Sequence, residues 1–264
     1  MDYSRKYYTV DIPYLINNFI YEYDISKANL NVLFYKGVIN QHQYNEIIQF
    51  GKGQREIYFG NLIKRDPKIG DILAEGLTEM RQKFIESNLY SDNEILSIKN
   101  DAIFVIGKPP VFTKFGNVEF VQKNVYTSYF NINKLEIYYY FNSIYNTEVI
   151  DIKGIDDNKL ELHRDYMISL LCDVFNALQT GDTHEILSII HNYYDKYVKK
   201  QLPIGYYREL NSSSLFRFTC QNGNTFLSEV PPDMNNPEYV KILNIMNNLN
   251  ILRELHAIVC NIKS

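Results

Sequence analysis

The chain has no tryptophan, and only three cysteines, eight prolines and twelve glycines in 264 residues. Cys172, Cys220 and Cys260 are odd in number and far apart, which excludes a disulfide framework and reads as reduced core thiols. Scarce glycine and proline exclude a collagen-like or low-complexity chain. No apolar run approaches the roughly 20 residues that span a bilayer, so no membrane partner is expected. The opening residues, Met1 to Lys6, lead into no apolar signal core, and the expected location is a cytoplasm, the host's if the gene belongs to a phage. Positive charge is not in excess either. Lys and Arg number 27 against 31 Asp and Glu, so contact with nucleic acid would have to rest on a local patch. The Gly-x-x-x-x-Gly-Lys-Ser/Thr loop, the Gly-x-Gly-x-x-Gly turn and the Gly-x-Ser-x-Gly elbow are all missing.

What is present is an ordinary globular composition, 45% hydrophobic and 22% charged, enough for one large domain or two small ones. The 23 tyrosines and 15 phenylalanines accompany many Asn, Ile and Lys. All five have AT-rich codons, so the coding bias of an AT-rich bacterium or one of its phages accounts for them without a functional demand for tyrosine.

Periodicity divides the chain near residue 150. In residues 1–150 strands alternate with helices. Residues 20–24 read as a strand, and Ser26 can cap a helix carrying Leu30, Leu33 and Phe34, closed by Gly37. Asn40 can cap a second helix, and a third runs from about residue 54 to 65 before Pro67 and Gly70 break it. Ile72, Leu73, Leu77, Met80 and Phe84 then repeat at helical spacing. Residues 95–99 and 102–106 are β-type runs separated by Asn100-Asp101, a hairpin signal because both turn residues tolerate positive φ. Strands are expected at 118–122, 125–132 and 135–141, and residues 151–158, polar with Gly154, form the linker candidate.

Residues 151–264 read as mainly helical. One amphipathic helix runs from Leu160 to Leu178 and another from Ile186 to Tyr197. A small hairpin follows at 215–227, and a last structural helix, 237–262, carries Leu252 and Val259. The expected fold is α+β, an antiparallel sheet with helices on one face followed by a mainly helical region.

Some constellations have a plain packing account. His256 and Cys260 could share a metal, but no second pair has zinc spacing, and packing explains them better. Lys108, Lys114, Lys123 and Lys134 are interleaved with Phe112, Phe115, Phe120, Tyr126, Tyr129 and Phe130. That pattern suits single-stranded nucleic acid, although a half-buried sheet with a solvated face explains it more simply.

A more specific arrangement joins Asp24, at a strand end before a helix, to Asp101, in a hairpin turn 77 residues later. Two carboxylates at adjacent strand ends of one sheet are what a two-metal phosphoryl-transfer site needs; they can bridge two Mg²⁺ ions roughly 4 Å apart. Capping and turn chemistry alone would also produce these residues. Asp24, Ser26, Asn29 and Leu30 resemble motif A in the palm of family A DNA polymerases and single-subunit RNA polymerases, and Asn100-Asp101 resembles their motif C hairpin. The resemblance covers about residues 15–110. It implies metal-ligand roles for Asp24 and Asp101 with Mg²⁺ or Mn²⁺, and nucleotide contacts from Ser26 and Asn29. Lys52, Arg55 and Tyr58, with Phe59 and Gly60, resemble a reduced form of the helix that grips the incoming nucleotide. Asn100 stands where those families carry histidine, and Ala102 supplies no second acid. The implied function is a minimal nucleotidyltransferase, or an inactive descendant that binds nucleic acid or nucleotide. The competing class is a non-enzymatic interaction protein that binds a protein partner.

Overall fold

The computed structural model describes residues 6–132, 135–142, 144, 146–154, 164–180, 182–203, 207–209, 212–230, 233, 239–242 and 250–262. The fold is α+β, and every pair of strands whose register is defined is antiparallel. Packing divides the chain into two compact units. The first comprises Met1–Asp11 and Asn18–Tyr126; the second comprises Ile12–Asn17 and Thr127–Ser264.

The first unit contains β1 (Tyr7–Thr9), the end of β2 (Tyr14–Ile25), helices α1 (Ala28–Tyr35), α2 (Gln41–Ile47), α3 (Lys52–Arg65) and α4 (Pro67–Ser87), and strands β3 (Ile95–Lys99), β4 (Ala102–Ile106), β5 (Lys114–Phe115) and the start of β6 (Val118–Ile132). Its strand order is β1-β3-β4-β2-β6. The β3–β4 hairpin is therefore interior to the sheet, with β4 against β2, as the apolar content of both segments requires. Alternation puts Tyr23 and Ile25 of β2, Ile103 and Val105 of β4, and Val118 and Phe120 of β6 into one core with Leu33, Phe59, Leu77, Met80 and Phe84 from the helices. Each fully buried Leu, Ile or Phe there contributes roughly 1.5–3 kcal/mol.

Local chemistry sets the helix boundaries, in places differently from expectation. Gly37, at φ 71°, ends α1, with Val38 N–H donating to Leu33 O at 2.9 Å. Asn40 caps α2 through Gln43 N–H, and the Gln43 side chain accepts from Asn40 N–H in return. Ser26 does not cap α1. Lys27 occupies that position in the left-handed region, φ 46°, with no side-chain cap bond. Helix α3 ends at Arg65 before Pro67 as expected, but Gly70 marks no break. Asp66 caps α4 through Lys68 N–H at 3.1 Å and Pro67 takes the first position, where its missing N–H costs nothing, so α4 runs through Gly70.

The second unit contains the end of β6, β7 (Leu135–Asn142), β8 (Thr147–Lys153), α5 (Arg164–Thr180), α6 (Thr183–Val198), strands β9 (Arg208–Glu209), β10 (Ser212–Cys220), β11 (Thr225–Ser228) and β12 (Tyr239–Ile242), and α7 (Asn250–Ile262). Strands β6, β7 and β8 are consecutive in their sheet, and Phe130, Ile137, Tyr139, Ile150 and Ile152 share a core with Leu170, Phe175, Ile190, Leu255 and Val259. This shared core is why the units divide after Tyr126 rather than near residue 150, and why residues 151–153 are strand rather than linker. Residues 155–158 of the expected linker and Leu160 lie outside the described residues. The 118–122 and 125–132 strands are one continuous β6. The hairpin at 215–227 forms as β10 and β11, with Cys220 N–H donating to Asn224 O at 2.9 Å. The last helix is described over Asn250–Ile262, and Tyr239–Ile242, within its expected range, is instead a strand paired with β10. The side chain of Leu252 lies outside the described residues. No helix is long and apolar enough to cross a membrane among the described residues.

Candidate active site

Strand β2 delivers Asp24 to the end of the sheet. In the β2–β4 ladder Asp24 lies opposite Ala102, and Ile25 N–H donates to the Asp101 carbonyl at 3.2 Å. Neighbouring strands are about 4.8 Å apart, so the two aspartates leave adjacent backbones at one strand end. Tyr23 and Ile25 point into the core, which sends Asp24 to the other face. Both carboxylate residues are half-exposed.

They line one cleft of about 540 Å³ with Ser26, Lys27, Asn29, Lys52, Arg55, Glu56, Phe59 and Lys123. The structure thus brings together Asp24, Asp101, Ser26, Asn29, Lys52 and Arg55. Tyr58 is not among the cleft residues: it is half-buried, with its ring 5.3 Å from that of Phe59 and 6.2 Å from that of Phe50. Phe59, 1% exposed, lines the cleft in its place. Four cationic side chains, Lys27, Lys52, Arg55 and Lys123, face three acids, Asp24, Glu56 and Asp101. Lys27, Lys52 and Lys123 make no ion pair among the described residues.

The Asn100-Asp101 turn is held from several sides. Of its two residues only Asn100 takes positive φ, at 57°. Asn100 N–H donates to Lys6 O at 2.8 Å, and its amide Nδ2 donates to Asp101 Oδ1 at 3.3 Å. Behind the turn lies Arg81 of α4, 2% exposed, whose Nη1 donates to Asn100 O at 2.5 Å and whose Nη2 donates to Thr78 Oγ1 at 2.9 Å. Burial pushes the Arg81 pKa down while the Asp101 carboxylate opposes that shift. Arg81 escaped the sequence reading because an arginine on an amphipathic helix is ordinarily solvated. Only its spacing from Leu77 and Phe84, on the buried stripe of α4, could have signalled it.

The sequence offered capping as an alternative account of Asp24 and Ser26, and Ser26 contributes no side-chain cap to α1. Its backbone is engaged instead, with N–H donating to Glu119 O at 2.8 Å and the carbonyl accepting from Asn31 Nδ2 at 2.5 Å.

The other candidates divide. Of the basic and aromatic segment, Phe120, Tyr126, Tyr129 and Phe130 are buried as in a half-buried sheet, Phe112 and Lys123 are exposed, and Lys134 lies outside the described residues. Cys260 Sγ lies 3.8 Å from His256 Nδ1, and the His191 ring is 5.2 Å from that of His256. Among the described residues no three His, Cys, Asp or Glu are gathered to hold a metal ion. All three cysteines are free, but Cys260 is exposed rather than core, while burial pushes the half-buried Cys172 thiol up to about 12.

No curated protein matches the chain. A family model matches residues 2–261, nearly the whole length, and the chain belongs to the bacteriophage PBS1 gene 130 protein family.

Proposed function

We propose that the chain is a palm-like protein whose cleft carries out, or descends from, two-metal nucleotidyl transfer on a nucleoside triphosphate and nucleic acid. The observation that carries this reading is the placement of Asp24 and Asp101 at adjacent strand ends, in one cleft with Lys52, Arg55 and Lys123. Two non-glycine residues in left-handed conformation, Lys27 and Asn100, lie within three residues of these aspartates. Such conformations cost free energy and concentrate at functional sites.

Hard oxygen donors fit Mg²⁺ or Mn²⁺, and a two-carboxylate set leaves room for the water and phosphate ligands that Mg²⁺ retains. Asp24 and Asp101 would hold the ions. When bound, such ions neutralise phosphate charge and acidify an attacking hydroxyl. Lys52 and Arg55 would bind the triphosphate, and Ser26 and Asn29 would line the nucleotide. Asn100 orients the Asp101 carboxylate, while Arg81 secures the turn without entering the cleft. In the reaction the acceptor hydroxyl oxygen bonds to the α-phosphorus as the bond to the bridging oxygen breaks. Pyrophosphate leaves and the hydroxyl proton passes to water.

The test is calorimetric titration of Mn²⁺ with and without nucleoside triphosphate, on wild type, Asp24→Asn and Asp101→Asn. Nucleotide should strengthen Mn²⁺ binding at least about tenfold in wild type, since each phosphate completes a shell that two carboxylates leave open. Each variant should lose that coupling with an unchanged circular dichroism spectrum. If nucleotide adds nothing, or the variants bind as wild type does, the aspartates are a strand-end and a turn residue. The chain is then better read as an interaction protein.

A further inference from the structure

We infer that Lys123 forms a second phosphate subsite in the cleft, one that takes the backbone phosphate of a nucleic-acid strand rather than the triphosphate, with Glu22 and Asn124 as its positioning residues. This inference rests on the nucleotidyl-transfer reading. It starts from a group that reading leaves unused, the carboxylate of Glu22, which is 6% exposed. Glu22 precedes Asp24 by two positions, so both lie on the same face of β2. Its Oε2 accepts from Asn124 Nδ2 at 2.6 Å and from Tyr126 Oη at 2.8 Å, and Asn124 Nδ2 also reaches Tyr126 Oη at 3.0 Å. A buried carboxylate is costly unless its oxygens are satisfied. Here its bonds fasten β6 to β2 immediately after Lys123.

On the other side of Lys123, Gln122 Oε1 accepts from Tyr23 Oη at 2.9 Å. Gln122 and Asn124, the two neighbours of Lys123, are thus each bonded to β2, to Tyr23 and to Glu22. Lys123 is held on both sides, and its exposed side chain lines the cleft.

Its position separates it from the other cations. Strand β6 neighbours β2 on the side away from the β3–β4 turn that carries Asp101, whereas Lys52 and Arg55 belong to α3. Nucleotidyl transfer joins two anions, a triphosphate and a strand that ends in the attacking hydroxyl. Two sets of cations on separate elements beside one carboxylate pair match two such substrates.

Fluorescence anisotropy with a labelled ten-nucleotide single strand, as DNA and as RNA, at several salt concentrations tests the assignment. Calorimetry with Mn²⁺ and nucleoside triphosphate runs in parallel. Lys123→Ala should weaken oligonucleotide binding about fivefold to tenfold and make the salt slope shallower by about 0.7, the value for one single-strand phosphate contact. Triphosphate binding should stay within about twofold. Asn124→Ala should weaken oligonucleotide binding in wild type and do nothing further in the Lys123→Ala background, whereas a merely structural role gives additive losses. The DNA and RNA arms identify the strand. If wild type fails to couple Mn²⁺ to triphosphate, the nucleotidyl-transfer reading fails and this inference falls with it. If that coupling is present but Lys123→Ala leaves oligonucleotide affinity and salt slope unchanged, or weakens both ligands equally, only the second subsite is overturned.

Discussion

Gly76 of α4 meets α1 so closely that a β-carbon built on it would lie 2.5 Å from Val32 Cγ1 and 3.1 Å from Lys36 Cγ. Val32 is fully buried, and the contact matters to the cleft because α1 follows the end of β2 that carries Asp24 while α4 carries Arg81. Gly76→Ala therefore sets two effects against each other. An alanine inside a helix is favoured over glycine by about 0.5–1 kcal/mol. Forcing an extra carbon into a filled interface costs about 1–3 kcal/mol, and a gap of 2.5 Å is about an ångström short of ordinary carbon contact. Packing should win, for a net loss of about 1–2 kcal/mol. Val32→Ala removes the obstructing methyl groups at a cost of about 2 kcal/mol, at about 0.8 kcal/mol per buried carbon plus a cavity term. In that background Gly76→Ala should change sign and stabilise by about 0.5–1 kcal/mol, a coupling of about 1.5–3 kcal/mol. Because the chain comprises two units, one global melt is not a clean measure. Urea titrations followed by hydrogen exchange of α1 and α4 amides report the interface directly. A neutral or stabilising Gly76→Ala in the wild-type background, or additive effects in the double variant, would refute the close-packing argument.

Other consequences can be checked the same way. Glu79 has its pKa lowered to about 2 by the Lys83 ammonium first, then by the Tyr35 hydroxyl and Lys36, with burial opposing. A depressed carboxylate stabilises fully above its unfolded pKa and loses that contribution as pH falls through the folded value. Glu79→Gln should thus cost up to about 1 kcal/mol at pH 7, a surface-pair magnitude. The difference should disappear on acid titration between the ordinary carboxylate range and about pH 2. Asn88, 8% exposed, donates to Phe84 O and Phe112 O and accepts from Val111 and Phe112 N–H, all at 2.7–2.8 Å. Asn88→Ala should cost about 2 kcal/mol in urea unfolding, and Asn88→Asp should not restore it, because an ionised carboxylate accepts but cannot donate. Leu255, fully buried in the core of the second unit, should cost about 2–5 kcal/mol on replacement by alanine, read from exchange of α7 amides; a loss below about 0.5 kcal/mol would mark α7 as peripheral.

Local chemistry made the pair of aspartates legible in the sequence. Alternation identified the end of β2, Asn-Asp marked the turn of the hairpin, and the stripe of Leu73, Leu77, Met80 and Phe84 identified α4, because side-chain period and turn preference act within a few residues. The same signals misled where a neighbour within the chain competed. Ser26 looked like a cap, but Lys27 took that position in a left-handed conformation, and Gly70 looked like a break, but α4, started by Asp66 and Pro67, runs through it. Ile242 belonged to a helical pattern until pairing with β10 drew Tyr239–Ile242 into a strand, a choice that periodicity cannot make. The support of the cleft was decided only in three dimensions. Arg81 reaches Asn100 across 19 residues, and Asn124 reaches Glu22 across 102. Glu22 carries no local mark of its place, since a carboxylate's burial is set by whatever strand the fold lays beside it.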